Sequence, residues 1–322
     1  MDDRITLNLI QNRLKTRQLM TFNAVLNERS IAKAAERLSL TQPAVTRTIR
    51  ELEALFACKL FERTNRGVMP TVFGQVLGEY AQASIVGLRH VVERFNALQD
   101  CEEGHLLIGT LISASAQLLP HAIAAIKERS PKLAVTVREG GNDLLFPLLI
   151  SGEIDIVIGR LPEHAVDSGI EHHVLYKEPL VALVSDSHPL ARSKDRLSLE
   201  KLLDYQWILP VPEVPFRARV RELFARAALP MSERIVESIS IATNLGMLDI
   251  MSAIALLPGS IGEYYADLCN YHVLKGIDLG DFGDVGYTVY GQRQLTPSTE
   301  LFINCLNEVL GNWHIQGGRH AV

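Results

Sequence analysis

Residues 30–53 read SIAKAAERLSLTQPAVTRTIRELE, and this stretch predicts two short helices joined by a tight turn. Ser30 is a natural N-cap for a helix over residues 31–38, because its hydroxyl can accept a hydrogen bond from a free backbone N–H of the first turn. Thr41 caps a second helix in the same way, and Pro43 lies in its first turn, where proline is tolerated. Two capped helices around a tight turn indicate a helix-turn-helix.

The second of these helices has a polar and basic face opposite its apolar stripe. Recognition helices place the side chains of their N-terminal residues at base edges, and hydroxyl, amide and guanidinium groups bond bases or phosphates. A helix on an ordinary protein surface is also polar outside, but here the caps, the turn and the basic face coincide. The predicted DNA contacts in this stretch are Ser30, Thr41, Gln42, Pro43, Ala44, Thr46, Arg47 and Arg50.

Residues 60–68, LFERTNRGV, follow with apolar residues on both sides of a polar tip. This pattern predicts a small β-wing whose tip lies against the DNA backbone or the minor groove. The predicted contacts of the tip are Arg63, Thr64, Asn65 and Arg66. The alternative is a solvated hairpin without a ligand.

The charge of the chain is divided between its ends. The formal net charge is −5, yet residues 1–70 carry +5 and residues 71–322 carry −10. This division indicates that the basic N-terminal region, which we call the head, binds a polyanion, and that the acidic remainder, the body, has a different role. The total charge alone would point away from nucleic acid.

Other classes of protein lack support in the sequence. The first residues are acidic and form no apolar signal segment, so we expect a cytoplasmic protein. No apolar run is long enough to span a bilayer. The cysteines Cys58, Cys101, Cys269 and Cys305 have no zinc spacing and predict reduced thiols. No nucleophile elbow, P-loop or dinucleotide fingerprint occurs, so we expect neither an enzyme nor a cofactor or metal.

The head closely resembles LysR-type transcriptional regulators. The resemblance rests on the pattern S-x3-AA-x2-L-x2-TQPAVT-x2-I-x2-LE over residues 30–53, LFER over 60–63 and T-x2-G over 71–74. Residues 13–19 and 46–52 look most like the branch with galactose-binding-protein and protocatechuate-pathway regulators. Ala57 departs from the family's usual glycine after the recognition helix, at a cost of about 1 kcal/mol if its backbone is left-handed.

Residues 72–98 predict one long helix after a Thr71 cap, without an internal proline. Apolar or small residues recur at steps of three and four, which is typical of a coiled-coil seam. They are Phe73, Leu77, Tyr80, Ser84, Leu88, Val91, Phe95 and Leu98. The resemblance implies that this linker helix pairs two heads into a homodimer, or within a homotetramer. The alternative is that the stripe packs on the chain's own body domain.

From residue 104 onward strand and helix patterns alternate, which predicts doubly wound α/β units. The resemblance implies a two-lobed effector domain of the periplasmic-binding-protein type, which binds a small organic acid, an aromatic acid or a sugar. The expected domains are a winged head over 1–71, a linker helix and hinge over 72–103, the effector domain over 104–310 and a tail over 311–322. Lobe 1 would take about 104–175 and 280–310, and lobe 2 about 176–279.

In open parallel sheets, ligands bind beyond the carboxyl ends of the strands, near helix N-termini. The candidates in lobe 1 are Thr110, Ser113, Ala114, Ser115, Gly159, Arg160 and Leu161. Those in lobe 2 are Pro210, Phe216, Ser238, Ser240 and Pro258. Each serine is as well explained by helix capping, and Arg160 by a surface ion pair.

The sequence therefore predicts a ligand-responsive regulator that binds double-stranded DNA at a two-fold-related operator and contacts RNA polymerase, without a membrane partner. The competing hypothesis is a cytoplasmic small-molecule-binding α/β protein, or an enzyme, whose N-terminal helices only mediate association.

Overall fold

The computed structural model describes residues 10, 12–64, 67–98, 104–163, 169–193 and 197–315. The chain divides into two compact units, Met1–Glu103 with Ile150–Glu153, and Gly104–Leu149 with Ile154–Val322. The first unit holds the head and the linker helix, and the second holds the α/β domain.

The head is a three-helix unit whose second and third helices begin at the predicted caps. Its helices are α1 (Thr16–Glu28), α2 (Ile31–Arg37) and α3 (Gln42–Leu55). The Ser30 hydroxyl accepts from the backbone N–H of Lys33, and the Thr41 hydroxyl accepts from that of Ala44. Each such cap typically contributes about 1 kcal/mol to helix stability. The helix-turn-helix is thus fixed by local hydrogen bonds as well as by the core that its helices share.

The core of the head is built from apolar residues at helical spacing. Phe22, Val25 and Leu52 are fully buried, and the Phe22 ring lies 4.9 Å from that of Phe61. Ala57 follows α3 with a φ of +49°, so the left-handed conformation expected at this position is present. An L-residue pays about 1 kcal/mol there relative to glycine.

The predicted wing is an antiparallel hairpin of β1 (Phe61–Thr64) and β2 (Gly67–Pro70). The Glu53 carboxylate joins the end of α3 to this hairpin, because it accepts from Leu60 N at 3.1 Å and from Lys59 Nζ at 2.8 Å. Burial raises the pKa of Glu53, but these hydrogen bonds outweigh burial and hold the pKa below its ordinary value.

The linker helix α4 (Val72–Leu98) has the predicted bounds. The Thr71 hydroxyl donates to Lys59 O and accepts from Gly74 N, so it fixes the start of α4 to the wing. Gly74 is needed here, since a Cβ would lie 2.1 Å from Leu60 O. One seam position was wrong. Leu77 is 7% exposed and belongs to the core of the head, because the first turns of α4 pack on α1.

Lobe 1 of the α/β domain is a sheet covered by helices. Its elements are β3 (His105–Thr110), α5 (Ile112–Ser115), α6 (Leu118–Arg129), β4 (Ala134–Glu139), α7 (Asn142–Ser151) and β5 (Ile156–Arg160). Strands β4, β3 and β5 are parallel neighbours, as the predicted strand–helix alternation requires. Leu106, Ile126 and Phe302 lie in its core.

Lobe 2 repeats this plan on a second sheet. Its elements are α8 (Leu199–Leu202), β7 (Gln206–Leu209), α9 (Pro215–Arg226), β8 (Ile235–Glu237), α10 (Ile241–Ile250), β9 (Ala253–Pro258), α11 (Gly259–Leu268) and β10 (Tyr271–Val273). Strand β7 lies parallel between β9 and β8. Trp207, Phe224 and Leu256 form part of its core.

Two strands cross between the lobes. They are β6 (Ile170–Ser185) and β11 (Asp281–Tyr290), which pair antiparallel, and α12 (Pro297–Ile315) closes lobe 1. The sheet order is β4-β3-β5-β11-β6-β9-β7-β8. The sequence indicated only residues 180–184 of β6. The rest was missed because residues 170–179 mix polar and apolar side chains without a clear alternation, and they pair with β11 alone.

Candidate DNA-binding surface and effector cleft

The outward face of α3 carries most of the predicted DNA contacts. Val45, Ile49 and Leu52 point into the core, which turns the opposite side of the helix outward. Gln42, Pro43, Ala44, Arg47 and Arg50 are exposed and Thr46 is partly exposed. Together with Glu51 and Ala54, most of them line one shallow depression. The residues singled out in the sequence thus lie on one exposed face of this helix, on which polar and basic side chains stand beside Pro43.

Ser30 and Thr41 lie at the N-termini of α2 and α3, where their hydroxyls serve as N-caps. Arg63 and Thr64 lie in strand β1 beside the hairpin tip. Asn65 and Arg66 fall outside the part of the chain that the structure describes. The backbone of the hairpin has the form that a wing requires.

Glu51 is a member of this surface that the sequence reading did not single out. Its carboxylate accepts from Arg47 Nε at 2.9 Å and from Gln18 Nε2 at 3.2 Å, so it links α3 to α1. These hydrogen bonds lower the pKa of Glu51 from its ordinary value. The i,i+4 spacing of Arg47 and Glu51 was the available signal. Arg47 is therefore oriented before any ligand arrives.

The hydroxyl groups of the candidate residues after β3 form hydrogen bonds within lobe 1. Thr110 and Ser113 are 2% and 1% exposed. The Thr110 hydroxyl donates to Leu111 O, and the Ser115 hydroxyl donates to Ile112 O. Ala114 is buried beside them, and α5 spans only four residues. The Thr110 and Ser113 hydroxyls thus already have partners within the protein, and the proposal that this loop holds a ligand stays a prediction.

Gly159 and Arg160 end the next strand, beside the same loop. Arg160 N donates to the Ser113 hydroxyl at 3.0 Å. Gly159 has a φ of +146°, and a Cβ would lie 2.5 Å from Leu111 Cβ, so only glycine fits. Leu161 is buried and donates its N–H to Asp284 O. The backbone of this turn is thus tightly held, and the Arg160 side chain leaves it toward lobe 2.

The Arg160 side chain is 12% exposed, and its guanidinium bonds the Glu163 carboxylate at 2.6 Å. It also lies over the ring of Phe282, 5.1 Å from the ring centroid. Arg219 of α9 bonds the same oxygen of Glu163 at 2.7 Å. Sequence reasoning missed Arg219 and Glu163, since nothing in the chain links positions 56 residues apart.

Most of the candidate residues in lobe 2 make hydrogen bonds or ring contacts with neighbouring residues of the same lobe. Pro210 O accepts from the buried Arg217, and Phe216 packs edge-on against Phe282 at 4.9 Å. The Ser238 hydroxyl accepts from Ser240 N, and the Ser240 hydroxyl caps α10 through Thr243 N. Pro258 is buried at the N-cap position of α11.

A buried carboxylate without any signal in the sequence lies where β6 crosses between the lobes. Glu178 is 1% exposed and accepts from Ser260 N, in the first turn of α11, at 2.6 Å. The Ser260 hydroxyl donates to Ser113 O at 2.9 Å, which joins the two lobes directly. Burial, with the Glu178 carboxylate nearby, raises the pKa of Tyr176 far above its ordinary value. The Tyr176 hydroxyl therefore stays protonated.

Comparisons with known proteins agree with this architecture. Residues 16–75 match the family model of the bacterial regulatory helix-turn-helix protein, lysR family. Residues 99–311 match the LysR substrate binding domain, which is more than half of the chain. The chain belongs to the LysR family. It is thus related to DNA-binding transcriptional regulators with an effector-binding domain, a family of regulators rather than of enzymes.

Two curated LysR relatives match over most of the chain. The HTH-type transcriptional regulator PcaQ of Agrobacterium fabrum is 28% identical over 305 residues, 94% of this chain and 97% of PcaQ. The regulator GbpR of Azospirillum brasilense is 29% identical over 257 residues, 80% of this chain and 75% of GbpR. The predicted resemblance to LysR-type regulators is confirmed.

Solved structures of LysR regulators share the fold. A full-length OxyR variant from Pseudomonas aeruginosa superposes with a TM-score of 0.67 at 22% identity, covering 92% of this chain and 94% of OxyR. Full-length CbnR in complex with its target DNA gives a TM-score of 0.64 at 22% identity, covering 92% of this chain and all of CbnR. Within the described residues, no helix is long and apolar enough to cross a membrane.

Proposed function

We propose that this LysR regulator binds a two-fold-related operator, with α3 in the major groove and the hairpin tip at the backbone or minor groove. The observation that carries the proposal is the exposed face of α3, where Gln42, Arg47 and Arg50 line one depression. The remaining contacts that we propose are the caps Ser30 and Thr41, the neighbours Pro43, Ala44 and Thr46, and the wing residues Arg63, Thr64, Asn65 and Arg66.

The test is the affinity of the purified chain for the DNA upstream of its own gene, measured by fluorescence anisotropy over a range of salt. We expect Arg47→Ala with Arg50→Ala to weaken binding at least about a hundredfold and to lower the salt slope by about two. The matched control is Arg221→Ala with Arg226→Ala, which removes the same charge from exposed positions of α9. An unchanged affinity and slope in the α3 variant would remove α3 from the interface.

We propose that α4 pairs two chains into a homodimer. Two such dimers would form a homotetramer. The support is a stripe of apolar side chains on α4 that stay at least 46% exposed within this chain. The stripe consists of Phe73, Val76, Tyr80, Leu88, Val91, Val92 and Phe95. A helix with such a stripe is stable when a second apolar surface covers it. Leu88→Glu with Val91→Glu is expected to give monomers in sedimentation, and an unchanged mass would refute this pairing.

We infer that the cleft between lobes 1 and 2 holds a small organic effector, whose binding shifts the arrangement of the lobes and of the dimer. Such a shift requires that the effector binds the two arrangements with different affinity. The residues that we propose for the cleft are Thr110, Ser113, Ala114, Ser115, Gly159, Arg160, Leu161, Pro210, Phe216, Ser238, Ser240 and Pro258. A thermal-shift screen of small acids and sugars tests this role, since a true effector must raise the melting temperature.

The remaining parts of the proposal follow from the regulatory role. A regulator of this type works in the cytoplasm, where the chromosome is, and contacts RNA polymerase rather than performing catalysis. We keep the domain boundaries 1–71, 72–103, 104–310 and 311–322, with lobe 1 over about 104–175 and 280–310 and lobe 2 over about 176–279. Limited proteolysis with mass analysis of the fragments tests these boundaries.

A further inference from the structure

Two arginines, one anchored in each lobe, converge on a single carboxylate oxygen in the α/β domain. Arg160 leaves the end of β5 in lobe 1, and Arg219 lies on α9 of lobe 2. The two guanidinium groups approach Glu163 Oε1 to 2.6 and 2.7 Å. Two hydrogen bonds from separate arginines to one oxygen are a strong, charge-assisted way to hold an anion.

The surroundings of this arginine pair favour a negative partner between the two guanidinium groups. Arg160 and Arg219 are 12% and 27% exposed, and Phe282 covers one face of the Arg160 guanidinium. Arginine does not lose its proton in proteins, so a largely buried guanidinium needs a compensating charge. Glu222 pairs with the other end of Arg219 at 2.9 Å. Without Glu163, the carboxylates left near the two arginines are Glu222, which pairs with Arg219, and Asp281, which acts on both arginines by charge alone.

A second place in the α/β domain that favours an anion, the first turn of α11, already holds a carboxylate. Ser260 N in the first turn of α11 donates to the carboxylate of Glu178, a residue that is 1% exposed and lies in the middle of β6. Glu163 differs, because its side chain is 50% exposed and lies beyond the end of β5. Of the two carboxylates, Glu163 is the one that a ligand can displace without unfolding a strand.

We propose that the Glu163 carboxylate occupies the position of an anionic group of the effector. The effector then carries a carboxylate or equivalent oxyanion, which replaces Glu163 between Arg160 and Arg219. The proposal rests on the proposed effector role of the cleft and narrows it to an anion. A neutral sugar has no charge to substitute for Glu163 and does not fit this position. Because the two arginines belong to different lobes, the anion also sets how the lobes are held together.

Chemical rescue tests the proposal without knowledge of the natural effector. In the full-length Glu163→Ala variant we expect a lower melting temperature, and we expect sodium acetate to restore several degrees more than sodium chloride at equal ionic strength. Inorganic phosphate and galactose are parallel probes. Rescue by acetate alone identifies a carboxylate, rescue by phosphate alone identifies a phosphate group, and rescue by galactose alone overturns the proposal.

Further variants separate a binding site from a general salt effect. Adding Arg219→Gln to Glu163→Ala is expected to lower the apparent acetate affinity at least about tenfold, whereas Arg221→Gln on the same helix leaves it unchanged. Acetate that acts no better than chloride, or equally well without Arg219, would overturn the proposal.

Operator binding by Glu163→Ala, with and without acetate, distinguishes this inference from the proposed function. Rescue of stability together with a change in DNA affinity supports both. Rescue of stability with DNA affinity unchanged keeps the anion site but removes its regulatory role.

Discussion

The same chemical pair, an arginine against a glutamate, occurs in two regions of this LysR regulator with opposite exposure. On α3, Arg47 is 82% exposed and bonds Glu51. In the α/β domain, Arg160 is 12% exposed and bonds Glu163, which Arg219 shares. The distances are similar, so geometry alone does not separate the two pairs. Their solvent environment does.

Exposure decides how each pair responds to an incoming anion. An exposed ion pair is worth about 0–1 kcal/mol, so a DNA phosphate or base can take Arg47 from Glu51 at little cost. A buried arginine that loses its partner leaves an uncompensated charge. Arg160 can therefore exchange Glu163 only for another anion that fits. The exposed pair suits a polyanion of varied geometry, and the buried pair suits a selective site.

The largest expected contrast is in stability after charge reversal. Glu163→Lys places a third cation between two arginines, so we expect it to lower the free energy of unfolding of the α/β domain by about 2 kcal/mol. Glu51→Lys acts on a solvated pair and is expected to leave the urea midpoint of the head unchanged.

Urea denaturation followed separately in each unit measures both effects, and Glu128→Lys on α6 is the control for a charge change at an exposed position. Equal effects of Glu163→Lys and Glu128→Lys would show that burial around Arg160 does not govern this pair.

A smaller effect is expected in DNA affinity when Glu51 loses its charge. Glu51→Gln keeps a hydrogen-bond acceptor for Arg47 but removes a negative charge from the surface that we propose as the DNA interface. We expect binding to an unrelated duplex to tighten about threefold, since the arginine no longer has a competing anion. Anisotropy titrations at two salt concentrations check this. Glu36→Gln on α2 is the matched control. If it tightens DNA binding by the same factor, the change in net charge explains the effect and the contact with Arg47 does not.

The smallest effect concerns pH. Hydrogen bonds from Arg47 and Gln18 lower the pKa of Glu51 below its ordinary 4.5. A carboxylate with a lowered pKa stays ionised above its ordinary pKa and loses its charge only as the pH falls through the lowered value. The ratio of DNA affinities of Glu51→Gln and the unchanged chain is therefore expected to stay constant from about pH 5 to pH 8. A ratio that approaches one near pH 5 would contradict the lowered pKa.

The head could be predicted almost completely from sequence because its determinants are local. Ser30 and Thr41 are caps that act within three residues, and the apolar spacing of α3 follows one helical face. Thr71 and Gly74 begin α4 through contacts with Lys59 and Leu60 that are close in the chain. The error at Leu77 arose because a heptad pattern does not show which partner covers each position.

The sequence predicted the strand and helix alternation of the α/β domain, but it did not predict the full length of β6, which crosses between the lobes. The first half of β6 contains Glu171, His172 and His173, whose polar character hides a strand that pairs with β11 on one side only. The buried Glu178 has no sequence signal, because a single glutamate in a mixed segment reads as a surface residue. Its role depends on Ser260, 82 residues away.

The sequence by itself determined the helix-turn-helix, the wing, the bounds of the linker helix and the α/β character of the body, since caps, turns and periodicity act over a few residues. Only the tertiary structure decided which charged groups meet. Arg160, Glu163 and Arg219 come together because β5 and α9 belong to different lobes that two crossing strands hold side by side. Burial, which separates this cluster from the Arg47 pair, is a property of the packed chain and has no local signature.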